Sequence, residues 1–160
     1  MKSAWHLLYE TLSTGTTRVF RGTNSSKDQL DITHSGGSDY GPGLYFATSV
    51  EDAKIYGYRI EQYDVIVNNP IHVGENENLE LIEKLMKVLK IDEEMMIEGK
   101  NWLQLMSLVG VLVEIGQLSW KSFMNYLKKL GYDGIYVHKP KNAAGEYIAV
   151  FDKSQVSPVV

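Results

Sequence analysis

Apolar residues recur along the chain with two different periods. Trp5, Leu8, Tyr9 and Leu12 fall at helical spacing and predict an amphipathic helix over residues 3–12 that ends near Gly15. A strand is predicted over Arg18 to Thr23 (RVFRGT), and another over the β-prone residues Leu44 to Ala47 (LYFA). Ser49, with Asp52 three residues later, supplies a capping box for a helix over Val50 to Tyr58. Tyr63 to Val67 and Ile71 to Val73 read as strands, separated by Asn68, Asn69 and Pro70 because proline cannot donate to a central ladder. Helical periods then take over. They run through Leu79, Ile82, Leu85, Met86 and Leu89, through residues 101–115, and through Trp120, Phe123, Met124, Leu127 and Leu130, with Gly131 closing the last helix. Two more strands, Gly134 to His138 and Glu146 to Asp152, flank a polar turn holding Pro140, Asn142 and Gly145. Strands, a three-helix block at about 76–130 and further strands predict one α+β domain over residues 1–160 with a helical insertion.

The 160 residues are 44% hydrophobic and include no cysteine, so a core forms without disulfides, and thiol chemistry and Cys-ligated metals are excluded. A net charge of −4 argues against broad electrostatic capture of nucleic acid or anionic membrane. Trp102 to Ile115 is the longest apolar stretch, and its 14 residues, broken by Gln104, Ser107 and Glu114, are too few to span a bilayer. Met1 to Glu10 holds no continuous apolar run of the kind a signal peptide needs, so the expected location is cytoplasmic, without membrane contact.

Residues 24–44 place Gly36, Gly37, Gly41 and Gly43 among Ser, Asn, Asp and Pro42, a composition suited to a functional loop. That loop has neither the GK[ST] ending of a phosphate loop nor the GxGxxG spacing of a dinucleotide turn. The histidines His6, His34, His72 and His138 form no i, i+4 metal pair, and no metal is expected. What remains is a set of polar residues at strand ends: Arg21 in FRGT, Tyr45 in GPGLYFA, Tyr56 eleven positions on, and Glu146 in GEYIAVFDKSQV. Taken singly, these are an ion-pair partner, two core aromatics and an exposed strand end. Their combination carries the functional reading.

That combination resembles the ADP-ribosyltransferase superfamily, in particular the diphtheria-toxin and poly-ADP-ribose-polymerase branch with its His, Tyr, Glu triad on three strands. Arg21-Gly22-Thr23 is similar to that branch's HG[ST] block, with Arg where the His stands. Gly41 to Ala47 followed by Tyr56 is similar to its G-x-G-[IL]-YFA block, and Gly145 to Val156 to its NEY-[IV]-V-[YF]-D-x-x-QV block. Gly131 to Ile135 (GYDGI) also resembles transferase domains of phage and bacterial toxins. The blocks cover about a quarter of the chain, in the family's order, and leave the helical block unexplained.

The resemblance implies a split mixed β-sheet and cleavage of NAD, as co-substrate, at its nicotinamide–ribose bond. Glu146, Tyr45 and Arg21 would be catalytic, and Arg21, Gly22, Thr23, Gly43, Tyr45, Ser49 and Tyr56 would bind NAD. Tyr45 and Tyr56 would sandwich the nicotinamide, and Glu146 would accept a hydrogen bond from the ribose 2′-hydroxyl. Three positions depart from the pattern: Arg21 itself, Ala53 where polymerase relatives carry a serine, and Ala144 where arginine-specific transferases carry a second Glu. Single transfer by a bacterial or phage toxin or effector is the implied activity, with an antitoxin or inhibitor protein as a further partner. The acceptor stays open among protein, RNA or DNA, and small molecules; Lys121, Lys128, Lys129, His138, Lys139 and Lys141 would suit a phosphate-bearing one. An NAD glycohydrolase using the same site, and an inactive module that binds ADP-ribose or a partner, are the alternatives.

Overall fold

The computed structural model describes residues 16–24 and 39–159. The helix expected at 3–12 and most of the loop 24–44 lie outside the described residues. Strand β1 (Thr16–Thr23) is followed by β2 (Leu44–Ala47), a single helical turn α1 (Val50–Ala53) continued as a 3-10 turn (Lys54–Tyr56), β3 (Arg59–Ile66) and β4 (Pro70–Val73). Helices α2 (Leu79–Leu89), α3 (Trp102–Glu114) and α4 (Trp120–Lys129) come next, and β5 (Gly134–Val137), β6 (Tyr147–Val150) and β7 (Val156–Pro158) complete the order. Among the described residues, seven strands form one mixed sheet in the order β4-β5-β6-β2-β1-β3-β7. The fold is α+β with a helical insertion, as the sequence predicts.

The insertion has an architectural reason that the sequence does not show. Strands β4 and β5 are parallel neighbours, with Ile71 opposite Ile135 and Val73 opposite Val137. Parallel neighbours need a long crossover, and the three helices are that crossover. They pack their apolar stripes on one face of the sheet, where Leu85, Trp102, Leu105, Val109 and Leu127 are sealed from solvent together with Ile71, Ile135, Ala149 and Phe151. Side chains cap each helix: Asn78 accepts from Leu81 N, Asn101 from Gln104 N and Ser119 from Ser122 N. Among the described residues no helix is long and apolar enough to cross a membrane.

Several boundaries differ from the sequence reading: β1 starts at Thr16, β5 ends at Val137 and β6 narrows to Tyr147–Val150. β3 starts at Arg59 rather than at Tyr63, because β1 offers a partner along all eight of its residues, from Thr16 opposite Ile66 to Thr23 opposite Arg59. Pairing draws polar residues into the ladder, where Arg18 Nε donates to Asp64 at 2.7 Å. The helix expected to reach Tyr58 holds α-geometry only to Ala53, and Gly57 is fully extended. Finally, β7 adds an unforeseen strand beside β3. Gln155 leads into it, donating to the carbonyls of Ile66 and Asp133 and accepting from the N–H groups of Phe151 and Asp152. The D-x-x-QV stretch therefore serves as a structural anchor.

The sheet has one loose seam among its described strands. β2 runs beside β6 over four residue pairs, from Leu44 opposite Val150 to Ala47 opposite Tyr147. It meets β1 at a single pair, Phe20 opposite Ala47. Below the seam a second small core of Val19, Leu44, Phe46, Val65, Ile148 and Val150 holds the two halves together on the face away from the helices.

Candidate functional site

The seam opens into a crevice of about 500 Å³, a volume typical of small-ligand sites. Phe20, Arg21 and Gly22 line it from β1, Tyr45, Phe46 and Ala47 from β2, Ala53 and Tyr56 from the helical turn, and Asp39, Tyr40 and Tyr147 complete the wall. Four of the residues singled out from sequence, Arg21, Gly22, Tyr45 and Tyr56, thus meet in one cavity although they come from two separate sequence blocks.

Gly22 is required here by its packing. A Cβ at this position would sit 1.9 Å from the Ala53 carbonyl oxygen, so the helical turn rests directly on the β1 backbone. On that side the close approach to Gly22 is made by the protein's own main chain. The contact holds Tyr56, three residues after Ala53, at the crevice. Tyr56 itself is 63% exposed and available to a flat ligand.

The aromatic wall holds Tyr40 and Tyr147 in addition to Tyr45 and Tyr56. The ring of Tyr45 packs on Tyr40 at 6.5 Å between centroids, and Tyr40 packs on Tyr147 at 6.1 Å. The Tyr45 hydroxyl donates to the Gly41 carbonyl at 3.1 Å. Burial raises the pKa values of Tyr40 and Tyr147, reinforced at Tyr147 by Tyr56, Asp52 and Tyr40 and a hydroxyl hydrogen bond with Tyr56. Both phenols are neutral at physiological pH. The sequence reading missed Tyr40 and Tyr147. Strand alternation could have found Tyr147, because it faces the same side as Ala149, which pairs with Tyr45.

Arg21 stands at the crevice wall with one guanidinium N–H directed to Glu61, its cross-strand partner, at 3.4 Å. Glu61 also accepts the Tyr63 hydroxyl, a contact that adds to burial in raising the Tyr63 pKa. A guanidinium carries five N–H donors, so this pairing leaves it donor capacity for an anion.

Other expected binding residues fall outside the crevice wall. Thr23 is buried. Gly43, at φ +126, is pressed against Ala149 and Val150 of β6. Ser49 caps α1 by accepting from Glu51 N at 3.2 Å. The capping box does not form, because Asp52 sends its carboxylate elsewhere: Oδ1 accepts from Ala144 N at 2.9 Å and Oδ2 from Gly145 N at 2.8 Å.

Glu146 lies at the rim rather than in the wall. It is the residue before Tyr147, and its main chain exchanges bonds with Thr48, the residue after Ala47: its N–H donates to Thr48 Oγ1 at 2.9 Å and its carbonyl accepts from Thr48 N at 3.0 Å. The carboxylate Oε2 accepts the Lys139 N–H at 2.6 Å. The third block thus reaches the cavity through Tyr147, while Glu146, the residue before it, is held by Thr48 and by the β5–β6 connection.

The chain matches no protein-family model and no curated protein. Among solved structures it is similar to one described as "Crystal structure of an anti-CRISPR protein", at 18% identity over 89% of this chain and 93% of the other, with a TM-score of 0.43. A likeness this distant carries no argument about function.

Next to the rim, the parallel pairing of β4 and β5 brings together two histidines that are far apart in sequence. His72 Nδ1 and His138 Nε2 are 2.8 Å apart, the rings stack, and Tyr136 stacks on His138 at 4.4 Å. Glu75 lies 4.0 Å from His138 Nδ1 and pairs with Lys139 at 2.8 Å, which holds the Glu75 carboxyl below its ordinary range. Burial and the neighbouring imidazole push the pKa of His72 down. Among the described residues no group of three or more His, Asp or Glu is arranged to hold a metal ion.

Proposed function

We propose that the protein is a mono-ADP-ribosyltransferase with an ADP-ribosyltransferase-like sheet, and that the β1–β2 crevice receives NAD. The observation that carries this reading is that Arg21 and Gly22, Tyr45 and Tyr56, and Tyr147 line a single cavity, with Glu146 the residue next to Tyr147.

The chemistry follows from the residue types. Breaking the bond between ribose C1′ and the nicotinamide nitrogen sends the electron pair to the leaving ring and leaves cationic character on the sugar. Aromatic faces at Tyr45, Tyr56 and Tyr147 suit the flat leaving group, and Arg21 suits the pyrophosphate. As the positive charge passes from the pyridinium ring to the ribose, a carboxylate at Glu146 beside the sugar stabilises the transition state more than the ground state, an effect of about 3 kcal/mol for a preorganised group. The acceptor's nucleophile then bonds to C1′ and gives up its proton. A bacterial or phage effector acting in the cytosol, countered by an antitoxin or inhibitor protein, fits this activity.

Labelled NAD incubated with the purified protein and a cell lysate, followed by separation of protein, nucleic-acid and small-molecule fractions, tests the reading and identifies the acceptor. Glu146→Gln should lower nicotinamide release by about 100-fold or more with little change in Tm. Equal turnover by that variant would refute the role of Glu146. A second reading, a module that binds NAD or ADP-ribose without cleaving it, is favoured by the bonds that Glu146 and Arg21 already make to Lys139 and Glu61. Binding of NAD with no release of nicotinamide selects it.

A further inference from the structure

Asp52 is a buried acid, 3% exposed, whose hydrogen-bond partners are main-chain amides. A buried carboxylate needs donors, and Asp52 finds them in two successive N–H groups, those of Ala144 and Gly145, 92 and 93 positions away in the chain. The next residue is Glu146, and its own N–H and carbonyl are taken by Thr48. Two residues of the β2–α1 segment therefore fix three consecutive residues leading to the rim acid. The surfaces meet closely: a Cβ on Gly145 would sit 2.6 Å from Thr48 Oγ1 and 3.2 Å from Ser49 Cβ. Lys139 completes the hold from the side-chain end.

This expense is hard to justify for a connection alone. β5 and β6 are antiparallel neighbours, which a turn of two to five residues can join. Instead the connection spans residues 138–146 and is tied down by a buried charge, a device that lowers stability unless every donor is well placed. Such fixing of an acid through a supporting shell is how sites gain the accuracy that chemistry needs. Asp52 also sits one turn before Tyr56, so the same short helix sets both the acid and an aromatic wall.

We propose that Asp52 and Thr48 are positioning residues that set Glu146 at the crevice rim for NAD cleavage. The inference rests on the reading of Glu146 as the NAD-cleaving acid.

The test is steady-state nicotinamide release by the full chain for the wild type, Asp52→Asn, Thr48→Val and Thr48→Ser, with amide exchange at residues 144 and 145 and Tm measured in parallel. Asp52→Asn and Thr48→Val should lower kcat by roughly 10- to 100-fold per folded molecule, the scale of a small misplacement of a reacting group. KM for NAD should move by less than about threefold, since the crevice wall is retained. Amide exchange at 144 and 145 should quicken in Asp52→Asn, and Thr48→Ser, which keeps the hydroxyl, should recover most of what Thr48→Val loses. Wild-type kcat in Asp52→Asn or Thr48→Val overturns the inference, as does a loss that vanishes once corrected for folded fraction. If Asp52→Asn does not fold, the Thr48 pair decides. A wild-type protein that releases no nicotinamide refutes the activity itself, and the positioning role with it, before any variant is compared.

Discussion

The helical crossover and the β1–β2 seam are built on different physics. In the crossover, Leu85, Leu105, Val109 and Leu127 lose all contact with solvent, and the packing is held by burial, which has no preferred direction. At the seam, rings stay half exposed, and their places are set by individual bonds: Tyr45 to Gly41, Asp52 to Ala144 and Gly145, Glu146 to Thr48 and Lys139. Burial gives the molecule its shape; directional bonds give the cavity its accuracy. Trp102 joins the two regimes, its ring 1% exposed in the helical core and its indole N–H donating to the Tyr40 carbonyl at 2.7 Å.

The difference predicts how the regions fail. Leu105→Ala, deep in the crossover, should lower stability by about 2–5 kcal/mol in urea unfolding while leaving the affinity for NAD in the folded fraction close to wild type. Gly22→Ala must displace the Ala53 carbonyl, and should cost about 1–3 kcal/mol while also weakening NAD binding, because Tyr56 moves with the turn. Calorimetric titration separates the two, and unaltered binding in Gly22→Ala would break the comparison. Trp102→Phe keeps an aromatic core residue but removes the indole N–H that donates to the Tyr40 carbonyl. It should cost about 1 kcal/mol and loosen the crevice wall, read as faster amide exchange around Tyr40.

The smallest effect is set by pH. The pKa of His72 is lowered in the folded chain, with His138, Tyr136, Glu75 and Lys139 grouped around the imidazole pair, so the unfolded imidazole takes up its proton first as pH falls. This group's contribution is present above its ordinary value of 6.5 and declines as pH drops from there towards the folded value. Urea midpoints measured from about pH 7.5 to about pH 5 should show a shallower decline in His72→Gln than in the wild type.

Much of the architecture was readable because its signals are periodic. The three helices announce themselves through apolar stripes, and LYFA through β-prone residues. β7 gave no such signal, since Val156, Ser157 and Pro158 are too few to alternate and gain their strand geometry from β3. The purpose of the crossover was hidden because it follows from the parallel pairing of β4 with β5, a relation between distant segments. At the site, residue types pointed to Arg21, Tyr45, Tyr56 and Glu146; the cavity wall gathers the first three, together with Gly22 from the family resemblance, and leaves Glu146 outside it. Tyr40 was passed over as part of a glycine-rich loop. The bond between Glu146 and Lys139 could not be read at all, because its donor is a main-chain N–H that every residue except proline carries.

The way β2 finds its neighbours has a consequence for the order of assembly. Its four-residue ladder is with β6, and Thr48 and Glu146 stand 98 positions apart. During synthesis the early strands β1 and β3 can pair at once, but β2 has only one rung to offer them until the whole crossover has emerged. Contacts that close so long a loop form late. The nascent chain therefore carries its candidate site residues unassembled until β6 has emerged.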